Sequence, residues 1–159
     1  MIDKLKEPIL HLLEECKTIL EEEGVVIIDN IFKKFHVLNM EVKETFIKEL
    51  NLRKIDVKKI LENLIKCEDN YLFTNDSAFL TKVVDLEKNG LADLFVLELR
   101  SKIDAYFFII VWNLRDIVPK IIGQFLVKQF NKTIEMKILN SLNKKDYCIN
   151  SLDENKISA

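Results

Sequence analysis

The sequence predicts an all-α fold, an elongated antiparallel bundle of about three long helices, and three observations carry that prediction. Apolar residues recur at three- and four-residue spacing over most of the chain. Only three glycines and two prolines occur in 159 residues, so there is little turn chemistry to interrupt a helix. The one strand-like run, residues 25–28, has no second run to pair with. At this length a single core is expected, and 48% apolar against 31% charged residues is enough to build one.

The first helix is set by Leu5, Ile9, Leu12, Leu13, Cys16, Ile19 and Leu20, with Pro8 read as an early helical position that tolerates a missing N–H. Glu21, Glu22 and Glu23 would oppose the macrodipole if the helix ended there, so it is expected to run through Gly24 to about Phe32. A second helical pattern spans about residues 39–71 through Val42, Phe46, Leu50, Val57, Leu61, Leu64 and Ile65. Its phase slips between Leu52 and Asp56, which predicts a kink or short break capped by Asp56. Thr74 to Ser77 and Lys88-Asn89-Gly90 read as turns.

The third helix is expected over about residues 91–142, roughly 75 Å at the α-helical rise. Its stripe is Leu99, Ile103, Tyr106, Ile110, Leu114, Ile117, Ile121 and Phe125, widened by Phe107, Val111, Val118 and Ile122. Pro119 lies inside it and predicts a kink, at a cost of about 3 kcal/mol in an unsupported helix. Residues 143–159 are polar and without period, which reads as a flexible tail.

Most chemical functions find no footing. Twenty-four basic against twenty-six acidic residues, a net charge of −2, remove the general attraction for phosphate backbones, so no nucleic-acid partner is expected. Cys16, Cys67 and Cys148 are odd in number and widely spaced, which suggests neither a disulfide framework nor a zinc site and fits a cytoplasmic setting. The greasiest run, residues 105–114, is too short to span a bilayer. Gly24, Gly90 and Gly123 are isolated and none opens a phosphate-cradling loop; His11 and His36 lack partners at metal-ligand spacing; the acidic runs read as solvated helix faces. No catalytic, metal or cofactor site is assigned. What stands out is an apolar surplus: Tyr106, Phe107, Phe108, Ile110, Val111, Trp112 and Leu114 surround the third helix on every side, more than two neighbouring helices can bury. They are the candidate assembly interface.

The segment from Lys102 to Ile122 carries a motif: Tyr106, a mixed run, then Arg115-Asp116, two apolar residues and Pro119-Lys120. It resembles the GTPase effector region of the dynamin family, and the fit continues through Phe125, Leu126, Asn131 and Leu139 to about Leu142. Upstream, Leu5-Lys6-Glu7-Pro8 and the stretch holding Asn70, Tyr71, Thr74, Asn75 and Phe79 are similar to the family's middle region.

The resemblance implies a dynamin-type stalk: residues 1–80 as middle-region helices, 81–90 as a short linker, 91–142 as the effector helix and 143–159 as the tail. Arg115, Asp116, Pro119 and Lys120 are its structural signature. It further implies a fragment or short product of a larger GTPase whose GTP and Mg belong to a missing head. Expected partners are copies of itself and dynamin-family stalks, with membrane adaptors possible, and the stalk's polymerisation would drive membrane remodelling or fission. The alternative is a free-standing helical adaptor or inhibitor that co-assembles with a full-length relative.

Overall fold

A computed structural model describes residues 2–70 and 94–157, with the side chains of Asp3, Leu94, Phe95 and residues 145 onward left aside. The turns expected at residues 74–77 and 88–90, and the linker 81–90, lie outside the described residues.

Every described element is helical: α1 (Asp3–Ile31), α2 (His36–Asn70), α3 (Leu94–Ile121), a π-helical stretch (Ile122–Lys128) and α4 (Gln129–Ile157). The three predicted rods are therefore present, the third being α3, the π stretch and α4 end to end. Gly24 and residues 25–28 are helical, and α1 closes at Phe32, whose N–H donates to the Ile28 carbonyl. α1 starts earlier than the Pro8 reading requires. Because the helix begins at Asp3, Pro8 is inside it and withholds an N–H from the Lys4 carbonyl.

Two sets of cross-helix contacts fix the directions. Lys6 pairs with Glu62, Glu14 with Lys54, and Asp29 with Asn39 and Lys43, so α1 and α2 form an antiparallel hairpin. Arg53 donates to Thr133 at 3.5 Å and Thr45 to Ser141 at 3.3 Å, so α4 runs back along α2 in the opposite sense. α2 is the central rod; α1 and the third rod both pack on it and scarcely on one another.

The expected break near Leu52 is absent, and α2 runs unbroken from His36 to Asn70. Val42, Leu50, Val57, Leu61 and Ile65 form one continuous buried row, while Leu52 and Ile55 are exposed on the far side. The apparent slip is two apolar residues on the outer face of a regular helix. The tail is corrected as well: no glycine or proline follows Gly123, and the backbone continues as helix to Ile157.

On the third rod the buried residues are Ile110, Leu114, Val118, Ile122, Leu126 and Phe130, spaced by four. Steps of four overshoot an α-helical turn by about 40° each, so a long row of this kind would rotate away from its neighbour. The π stretch prevents that. Its wider turns, with the Gln129 N–H donating to the Gln124 carbonyl, turn less per residue and keep Leu126 and Phe130 facing α2. The irregularity expected at Pro119 thus takes the form of altered winding that begins at Ile122. Leu99, Ile103 and Ile117, assigned to the core stripe, are exposed because each is one residue, about 100° of helix, out of step with that row of four.

Gly24 has a definite packing role. A β-carbon there would overlap the ring of Phe46, which meets Phe130 edge-on at a centroid distance of 5.1 Å. The glycine lets an α2 aromatic reach between α1 and the π–α4 junction, tying the three rods together.

Candidate assembly surface

The apolar surplus of α3 divides between two faces. Ile110 and Leu114 are buried in the common core and Tyr106 packs against it, so these three candidates serve the bundle itself. Phe107 is half-buried. Phe108 and Trp112 stand 62% and 60% exposed, one helical turn apart, with ring centroids at 6.2 Å and planes 27° from parallel. Two stacked rings left in water are the residue types that dominate protein interfaces.

Beside them lies an apolar groove of about 360 Å³ between α1 and α3. Leu5, Pro8, Ile9 and Leu12 form one wall, and Val111, Leu114, Arg115, Val118 and Pro119 form the other. It exists because α1 and α3 each lean on α2 without closing on one another. Of the signature residues, Arg115 and Pro119 line the groove, while Asp116 and Lys120 form an exposed ion pair one turn apart. Such a surface pair contributes about 0.5 kcal/mol. Arg115 makes no ion pair among the described residues, which leaves its guanidinium available at the rim.

A second apolar surface escaped the sequence reading. Where α1 gives way to α2, Phe35 of the connection and Val37 and Met40 of the first turns of α2 are 62%, 77% and 73% exposed, near the exposed Lys33 and Lys34. Only the expectation of a helix boundary near residue 32 hinted at it; periodicity marks apolar residues without saying which of them a turn turns outward.

The polar contacts are structural. Between α2 and α4, Ser141 donates to Glu41 at 3.1 Å, and the nearly buried Glu49 carboxylate lies 3.6 Å from Arg53 and 3.8 Å from Lys137. At the hairpin end, hydrogen bonds from Lys43 and Asn39 hold the Asp29 carboxyl below its ordinary range. Burial, and then the charge of Glu15, push the Cys16 thiol up. Cys67 is exposed, and His11 faces Glu15 on the surface of α1. Among the described residues no group of histidines, cysteines and carboxylates is arranged to hold a metal ion. No described helix is long and apolar enough to cross a membrane.

Comparison with known proteins agrees with this architecture of long rods. The Dynamin central region matches residues 1–88, and the Dynamin GTPase effector domain matches residues 92–159. No curated protein and no solved structure matches the chain. With a helical hairpin, a third rod bearing the Arg115 to Lys120 signature, and matches to both regions in order, the chain belongs to the dynamin family and carries its central region and its GTPase effector domain.

Proposed function

We propose that the chain is a stalk and effector segment that assembles with copies of itself, and through that assembly drives membrane remodelling or fission and stimulates GTP hydrolysis by a GTPase head. The observation that carries this reading is the exposed Phe108–Trp112 stack beside an open apolar groove on α3. Burying large aromatic rings is favourable by about 25 cal/mol per Å² of apolar surface, so a face of this kind is stabilised by meeting another stalk. Other dynamin-family stalks, and membrane adaptors, are the partners of the same class. The setting is cytoplasmic, peripheral to membranes through the assembled protein.

Neither matched region is a catalytic head. GTP and Mg belong to the head in this proposal, and the bundle acts on hydrolysis only by bringing heads together.

Light scattering over a concentration series tests the proposal. The mass is expected to rise with concentration, and Phe108→Glu with Trp112→Glu is expected to hold the chain as a monomer. A wild-type chain that stays monomeric at high concentration would refute self-assembly.

A further inference from the structure

The row of buried apolar residues on the third rod stops early in α4. It ends at Phe130, and past that position no described side chain of α4 is fully buried. What holds the rest of α4 to α2 is a polar seam. Glu41, Thr45, Glu49 and Arg53 recur at four-residue steps along one face of α2, and Thr133, Lys137 and Ser141 do the same on α4. Ser141 donates to Glu41 and accepts from Thr45, Lys137 faces Glu49, and Arg53 donates to Thr133. The small side chains let the two helices approach closely, so the seam is tight but not greasy.

Such a seam fixes register more than it binds. The Glu49 side chain is only 9% exposed, yet Arg53 Nε and Lys137 Nζ stand 3.6 and 3.8 Å from it, beyond hydrogen-bond length. The buried Nε of Arg53 has no hydrogen-bond partner. Removing a charge from water for so loose a pairing offsets most of the attraction gained. Lifting α4 away hydrates both groups.

A joint lies where the seam begins. Pro119 withholds an N–H from the Arg115 carbonyl, residues Ile122–Lys128 wind as π-helix, and Gly123 has open space around it. Thr133 then bonds back to the carbonyls of Gln129 and Phe130 at 3.1 and 3.2 Å, in competition with the helix ladder. Proline, π turns and side chains inserted into the ladder are where helices bend. We propose that α4 is a movable arm, pivoting at the π stretch and clasped to α2 by the polar seam, so that the bundle has a docked and a lifted state. α1, α2 and α3 keep their apolar contacts in both states, which makes the motion a hinge and not partial unfolding. The 29 residues of α4 span about 44 Å, so a bend of roughly 10° at the pivot moves the far end by about 8 Å. The motion belongs to a single chain and does not depend on self-assembly.

Pulsed electron spin resonance between exposed labels tests it, with Cys16, Cys67 and Cys148 changed to Ser and each labelled chain diluted in unlabelled protein. Lys48→Cys with Leu139→Cys spans the seam, and Lys48→Cys with Asn113→Cys measures α2 against the rod before the pivot. The seam pair is expected to show a main distance and a longer, minor one. Lys137→Glu, which sets a second carboxylate opposite Glu49, is expected to raise the longer population at least about tenfold, whereas Lys137→Arg keeps it at the wild-type level. The Asn113 pair is expected to hold one distance in every variant. A seam pair that keeps a single distance even with Lys137→Glu would overturn the hinge. Equal broadening of both pairs would overturn it too, because the whole bundle would then be loosening.

Discussion

Gly24 and Gly123 are both helical, yet the same substitution is expected to act on them in opposite directions. At Gly123 nothing lies within 4 Å of a new β-carbon, so Gly123→Ala is expected to stabilise the chain by up to about 1 kcal/mol through helix propensity. At Gly24 the β-carbon meets the Phe46 ring, which is backed by Phe130. Overpacking of about 1–3 kcal/mol then outweighs the propensity gain, and Gly24→Ala is expected to be net destabilising. Parallel urea melts of the two variants check both signs. Asp29 gives a pH-dependent counterpart. Its carboxyl is held below the ordinary 3.8, so its contribution to stability is present above that value and lost as pH falls through the lowered one. The gap in urea midpoint between wild type and Asp29→Asn is expected to be open at pH 6 and to close below about pH 4.

Among the elements, α2 and the π stretch decide how the rods meet. Leu126 is fully buried in the π turns against α2, and Leu126→Ala is expected to cost about 2–5 kcal/mol. Leu52, half exposed on the outer face of α2, is expected to cost less than about 0.5 kcal/mol as Leu52→Ala. Denaturant melts of the pair test whether the sequence slip near Leu52 belongs to the far face. Both corrections in this region have one cause. A linear pattern reports where apolar residues fall on a helix but not which stripe a neighbour covers; Leu52 and Leu50 look equivalent until α1 and the third rod are placed. The π stretch was equally hidden, because nothing in the local residue order of 122–128 distinguishes i→i+5 from i→i+4 bonding, whereas keeping Leu126 and Phe130 on α2 depends on the packed neighbour.

For the whole molecule the consequential fact is an open third side. α1 and α3 flank α2 without closing, which leaves the groove, the Phe108–Trp112 stack and the hairpin tip in water. Association that binds only the folded state raises apparent stability by mass action. The thermal midpoint of the wild-type chain is therefore expected to climb with protein concentration, while that of Phe108→Glu with Trp112→Glu stays constant; differential scanning fluorimetry over a hundredfold range checks it.

Helicity, the three rods and the family are properties of residue order, because the 3.6-residue period, the scarcity of glycine and proline and the Arg115 to Lys120 signature are all local in the chain. The tertiary structure alone decided which apolar residues became core and which became surface. Ile110 and Phe108 are two positions apart and equally apolar, but a helix turns about 200° between them, so only one can face α2. The candidate assembly run was legible as a surplus; its division into a buried half and an exposed half came from the packing of two rods on a central one.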